Sequence, residues 1–211
     1  MIMERMKEIR KFDFEIEARS DEEHGKFIEG RAIVFNQAQD MGWYTEIIDS
    51  GALDDTDLKD VRLLVNHNVD ALPLARSRNN NANSTMQLSV VPGEGMDIRA
   101  NLDVENNPDA AALYSAVSRG DITGMSFMFI VESDAWEGIG TDNKIRHITA
   151  IRKVFEVSAC TFPAYEQTSL EARGLAGAPD GAKASLESAK AEIRKTEAHK
   201  QKIRILMEVN K

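Results

Sequence analysis

Three residues stand where proton-transfer chemistry could use them: His67, Ser126 and Glu156. His67 closes the apolar run Val61-Arg-Leu-Leu-Val-Asn-His-Asn68, at the point where strand gives way to loop. A strand end combines rigid placement with access to solvent, which a general base needs. Ser126 lies in Gly120-Asp-Ile-Thr-Gly-Met-Ser-Phe-Met-Phe129, a hydroxyl flanked by large apolar side chains. On a strand, Phe127 and Phe129 take one face while Ser126 and Met128 take the other. Gly124 leaves room for close backbone approach, as an oxyanion-binding amide or a substrate strand would require. Glu156 sits in Val154-Phe-Glu-Val-Ser-Ala-Cys160. A carboxylate in an apolar strand is costly unless paired, and one pairing open to it is with an imidazole that it orients.

Each of the three also has a bland account. Locally, His67 reads as a structural strand-end residue and Ser126 as a small residue tolerated beside a bulky core. Glu156 reads as an exposed-face glutamate on a half-buried strand. The other candidates are weaker. His24 lies in a charged turn and His199 in a C-terminal tail, and His147 shares a strand face with polar neighbours in Lys144-Ile-Arg-His-Ile-Thr149. Cys160 is a conceivable thiol nucleophile, but apolar surroundings raise a thiol's pKa and make it inert. No two histidines have metal-ligand spacing, and one cysteine cannot build a multi-cysteine site, so no metal is expected. The Pro92–Gly95 cluster reads as a hairpin turn rather than a phosphate loop, so no cofactor is expected either. A Gly-x-Ser-x-Gly elbow is absent, which counts against an α/β-hydrolase.

The elements that must position these residues are mostly strands. Phe12, Phe14, Ile16 and Ala18 alternate with charged residues, the period of a half-buried strand. Further strands are expected at 27–35, 61–65, 125–132 and 144–160, the last long enough to bend or break in two. Met86, Leu88 and Val90, then Ile98, Ala100 and Leu102, flank the Pro92–Gly95 turn as a hairpin. Asn107-Pro108 opens a helix that Gly120 ends. A shorter helix or turn is expected around Ser50–Asp55. Many short strands with few helices suggest an α+β, mostly β domain built as an antiparallel barrel.

The 211 residues carry a formal charge of −9, with 42% apolar and 29% charged residues. That is globular composition with one real core, and its negative balance argues against nucleic acid or anionic membranes as partners. No run approaches a membrane span, and the N-terminal MIMERMKEIRK lacks a secretory apolar core. A reducing compartment is expected. Residues 174–211 carry +3 and residues 1–173 carry −12. The segment Gly174–Gly181, with three glycines and a proline, reads as a linker, and Ala184–Val209 as a mobile helical tail outside the core. The expected division is therefore a domain over 1–173 and a linker with a helical or flexible tail over 174–211.

The order of the pieces is more specific than any one of them. Gly30–Phe35, Glu46–Leu53, Leu64–Asn68, Gly120–Phe129 and Phe155–Tyr165 follow one another in an arrangement that closely resembles the prohead protease family of tailed phages. The resemblance spans roughly residues 12 to 173. It implies a serine endopeptidase related to the herpesvirus maturation protease, a β-barrel surrounded by a few helices. It puts the family's histidine on His67, its nucleophile on Ser126 and its acid on Glu156, with Glu132, Asp134 and Glu166 as substitutes for the acid. It implies, as substrates and partners, the scaffolding region of the major capsid protein and the protease itself, with a possible homo-oligomer. It places the activity in the host cytoplasm, inside the assembling prohead. An inert assembly factor of the same fold, a β-barrel binding module unrelated to phage, and a cysteine peptidase using Cys160 are the competing readings.

Overall fold

The computed structural model describes residues 7–12, 16–22, 25–161 and 180–209. The strands are β1 (Lys7–Phe12), β2 (Ile16–Asp21), β3 (Gly25–Val34), β4 (Gln39–Asp40), β5 (Thr45–Ile48), β6 (Val61–Val65), β7 (Ala75–Ser77), β8 (Met86–Val91), β9 (Gly95–Asn101), β10 (Gly124–Glu137) and β11 (Ile145–Cys160). Helix α1 (Pro108–Ser118) precedes β10, and α2 (Asp180–Val209) is the C-terminal helix.

Two sheets share one core. The smaller is antiparallel in the order β2-β3-β9-β8. The larger runs β1-β10-β11-β5-β4, with β6 on β11 and β7 on β6. Ile28, Ile33, Met96 and Ile98 from the smaller sheet meet Phe127, Phe129, Val154 and Val157 from the larger. Helix α1 adds Ala110, Leu113 and Val117; Asn107 caps it by accepting the N–H groups of Asp109 and Ala110.

The domain is α+β and mostly β, as expected, but the closed antiparallel barrel is not what the described strands form. Both sheets are open, and β11 pairs in parallel with β5 and with β6. The reason lies in length. The sixteen residues of β11 outlast each short neighbour, so β5 takes one stretch of its edge at 145–148 and β6 another at 156–159. The larger sheet's path then ends on a two-residue β4, and the sheets meet through side chains.

Strand β11 neither breaks nor splits; it follows β10 through four register shifts that bend the pair. The β8–β9 hairpin forms as expected. Gly95 closes it with φ 155°, where a Cβ would lie 1.9 Å from the carbonyl oxygen of Ile33. Ser50–Asp55 is a turn. The alternation over 12–18 does not make one strand: β1 and β2 belong to different sheets. The expected tail helix begins at Asp180, and its first turns pack on the body, with Ala182 and Leu186 buried. The expected boundary at 173/174 and the linker up to residue 179 lie outside the described residues, as does His24.

Candidate active site

Strand pairing brings the hydroxyl and the carboxylate onto one face. Ser126 on β10 lies opposite Ser158 on β11, and Met128 opposite Glu156. Directly paired residues share a face, so Ser126, Glu156 and Ser158 project together while Met125, Phe127 and Val157 enter the core. The rings of Phe127 and Phe129 stack at 4.5 Å beneath them and hold β10 against the core.

His67 arrives from β6. This strand runs parallel to β11, with Arg62 beside Glu156 and Val65 beside Ala159. Two left-handed residues then turn the chain, Asn66 (φ 50°) and His67 (φ 57°), both types that tolerate this region. Asn66 is tied to the end of β11: its N–H donates to the Ala159 carbonyl, and its side chain exchanges hydrogen bonds with Thr161. The imidazole is thereby carried over the face where Ser126 and Glu156 lie.

The resulting chain of contacts is continuous. His67 Nε2 lies 2.7 Å from Ser126 Oγ, and His67 Nδ1 lies 2.6 Å from Glu156 Oε1. An ionised carboxylate only accepts, so the Nδ1 proton belongs on the side of Glu156 and Nε2 presents its lone pair to Ser126. Ser158 Oγ donates to Glu156 Oε2 at 2.5 Å and accepts the backbone N–H of His67 at 3.1 Å. One hydroxyl thus fixes both the carboxylate and the histidine backbone. Ser126 and Ser158 are fully buried, Glu156 is 3% exposed, and the His67 side chain is 11% exposed. In so dry a setting these hydrogen bonds are strong and geometrically demanding. The arrangement can carry a proton from a hydroxyl to an imidazole whose charge a carboxylate balances.

The three candidate residues therefore meet. The substitutes for the acid do not take the Nδ1 position: Asp134 accepts from Arg146 Nε at 2.6 Å and from Ser185, Glu132 is exposed, and Glu166 lies outside the described residues. Cys160 is buried, its thiol directed at the Ser158 carbonyl. His147 is half-buried against Asp49, and His199 is exposed on α2. Among the described residues no group of three His, Cys, Asp or Glu is placed to hold a metal ion, and no helix is long and apolar enough to cross a membrane.

Two contributors escaped sequence reasoning. Ser158 stands two residues after Glu156, and strand periodicity would have put both on one face. The second is β1. It pairs antiparallel with β10 with Lys11 opposite Ser126, and the Arg10 carbonyl oxygen lies 2.7 Å from Ser126 Oγ.

The inward side chains of β1 are charged. Arg10 and Glu8 are buried in a lattice with Glu46, Arg146 and Asp134. Burial disfavours the Glu8 charge, but Arg10 and Arg146 outweigh it and hold the carboxyl below its ordinary range. The same carboxylates keep both guanidinium groups protonated against their burial. Burial also pushes the Tyr44 hydroxyl, 3.4 Å from Glu46, up to about 12.

Comparison with known proteins identifies the family of the chain. The sequence profile of the caudovirus prohead serine protease family matches residues 14–179, a span that begins after β1. The prohead protease of Enterobacteria phage HK97 is 31% identical over 161 residues, which are 75% of this chain and 64% of that relative's length. The bacteriophage T4 capsid assembly protease is a structural neighbour at TM-score 0.40 and 12% identity, over 74% of this chain and 98% of that one.

Proposed function

Because the chain belongs to the caudovirus prohead serine protease family, we propose that it is a capsid-maturation endopeptidase in which Ser126 is the nucleophile, His67 the general base and Glu156 the orienting acid. Its substrates are the scaffolding region of the major capsid protein and the protease itself. The observation that carries this reading is the unbroken contact from Ser126 Oγ through His67 to Glu156, at 2.7 Å and 2.6 Å. The first proton moves over the 2.7 Å path from Ser126 Oγ to Nε2, and the Nδ1–Glu156 contact holds the ring that receives it.

A serine hydroxyl is a weak nucleophile at neutral pH. His67 Nε2 removes its proton as Ser126 Oγ attacks the peptide carbonyl carbon. Glu156 accepts the Nδ1–H throughout, which fixes the tautomer and balances the imidazolium. The imidazolium then protonates the leaving amine, the C–N bond breaks, and an acyl ester remains on Ser126. Water, deprotonated by the same Nε2, hydrolyses that ester and restores the serine. Ser158 keeps Glu156 and the His67 backbone in register during these transfers. An extended peptide suits the site, since main-chain pairing supplies affinity with little demand on sequence.

The deciding experiment is co-expression with the major capsid protein, followed by mass spectrometry of both chains. The wild type should release the scaffolding region and fragments of itself, and Ser126→Ala should leave both intact. Unchanged cleavage by Ser126→Ala would remove the proposed nucleophile. An intact capsid protein beside the wild type would favour an inert assembly factor.

A further inference from the structure

We propose that β1 is a built-in occupant of the peptide-binding edge of β10, and that a substrate strand takes its place there, antiparallel to β10, only after β1 withdraws. This rests on Ser126 being the nucleophile.

Position is the first argument. Residues 7–12 pair with Met125–Ile130, so β1 covers the one edge of β10 that β11 does not hold. Without β1, that edge would present its unpaired N–H and C=O groups on both sides of Ser126, a ready template for an extended peptide. With β1 in place, Ser126 is 0% exposed and no peptide carbonyl can reach Oγ.

Protonation is the second argument. Ser126 has one hydroxyl proton and two neighbours at 2.7 Å, the Arg10 carbonyl and His67 Nε2. A carbonyl only accepts. The single proton can serve only one of them at a time, so while the hydroxyl donates to Arg10 it is not offered to the Nε2 lone pair. Strand β1 thus shields the serine and diverts its proton from the histidine.

Detachability is the third argument. Where β10 buries Phe127 and Phe129, β1 buries Glu8 and Arg10. Moving these charges to water recovers their hydration, which offsets part of the ion pairs lost, whereas an apolar strand of equal burial regains nothing on leaving. The pair is also neutral as a unit. Withdrawing it breaks the Arg10–Glu46 and Arg146–Glu8 pairs but leaves Arg146 bonded to Glu46 and Asp134, with the net charge of the lattice unchanged. Helix α2 closes over this arrangement: Gly181 packs on the Glu8 carboxylate, and Ser185 bonds Asp134 and Trp136. The N-terminal strand and the C-terminal helix therefore meet at one buried carboxylate, on the face of β1 opposite to the one that carries Lys11 beside Ser126.

A reversible tether tests this in the full-length chain. Ile9 and Met128 are paired across β1 and β10, and Ile9→Cys with Met128→Cys allows a disulfide between them. Labelling of Ser126 by a fluorophosphonate should slow by about tenfold or more on oxidation and recover with reductant, because only the opened state reacts. Equal rates in the two redox states would overturn the proposal. If neither state labels, the fault lies with the role of Ser126, and hydrogen exchange decides the fate of β1. Amides of residues 7–12 should exchange about tenfold or more faster than those of the β10–β11 pairing, and Arg10→Gln should widen that gap without changing the β8–β9 hairpin. Exchange of β1 in one unit with β10 and β11 would overturn the proposal independently of any serine chemistry.

Discussion

Ser158 Oγ lies 3.1 Å from the backbone nitrogen of His67, and the same hydroxyl donates its proton to Glu156. One side chain therefore ties the backbone of His67 to the carboxylate of Glu156. Ser158→Ala removes both bonds at once and leaves a buried N–H and a carboxylate oxygen short of partners, each costing about 1–3 kcal/mol. The expected outcome is a kcat lower by about tenfold to a hundredfold with little change in KM, since the residue positions the base and does not touch substrate. Ser158→Thr, which keeps the hydroxyl, should recover most of the rate. A loss of stability with kcat untouched would make Ser158 merely structural.

Glu156→Gln keeps the shape of the acid and removes its charge. A carboxamide can turn its NH2 toward Nδ1, which forces the imidazole proton onto Nε2 and directs a donor, not a lone pair, at Ser126. By analogy with triads of this design, kcat should fall by about 10^3- to 10^4-fold while the fold persists. Circular dichroism with a thermal melt establishes the fold, and single-turnover cleavage of a capsid-derived peptide measures the chemistry. A variant that cleaves within a few-fold of wild type would assign the orienting role to another acid.

The candidate residues were legible in the sequence through the order of motifs that resembles the prohead protease family, while local rules placed each on its element without giving it a role. Strand alternation separates Ser126 from Phe127, and β6 ends where its apolar run ends, at Val65 before Asn66 and His67. What was hidden depends on pairing between distant segments. Nothing local announces that β6 lies parallel to β11, and that contact alone carries His67 to Glu156. Strand β1 was obscured for a different reason. Its buried positions are Glu8 and Arg10, so the usual equation of inward with apolar is inverted there. The alternation at 12–18 drew attention instead, although it spans residues of two separate sheets. The closed barrel failed because counting strands does not reveal that β5 and β6 share one edge of β11.

The ion lattice beneath β1 makes an acid-dependence prediction. Glu8 is faced by Arg10 on its own strand and by Arg146 from β11, with Glu46 of β5 bonded to the same two guanidiniums. Its carboxyl is held below the ordinary value of 4.5, so the folded state binds this proton more weakly than the unfolded chain does. The stabilisation is complete above about pH 5 and is lost as pH falls through the depressed folded value. Asp57 and Asp60, bound to Lys153 and Arg76, shift in the same direction, so acid should lower the melting temperature overall. Subtracting the profile of Glu8→Gln isolates the contribution of β1. That variant should melt lower at pH 7 and converge with wild type at the acid end; parallel profiles would mean that Glu8 carries no linked proton.

Gly181 offers a test of how firmly the C-terminal helix grips that carboxylate. A Cβ at this position would lie 2.6 Å from Glu8 Oε1. Side-chain ends usually yield, but this one is fixed on both oxygens, by Arg10 at 2.5 Å and by Arg146 at 2.8 and 3.1 Å. Two effects compete in Gly181→Ala. Alanine favours helix over glycine by up to about 1 kcal/mol. Displacing a buried, doubly bonded carboxylate costs about 1–3 kcal/mol, so the clash should win. The melting temperature should drop by a few degrees, roughly 2–4 °C per kcal/mol for a chain of this size. Trp136, which donates to Ser185 on the same helix, should report the shift in its fluorescence. Combining Gly181→Ala with Glu8→Ala removes the colliding carboxylate, so alanine at 181 should become neutral or stabilising in that background. Additive losses in the double variant would show that α2 and β1 do not meet through Glu8.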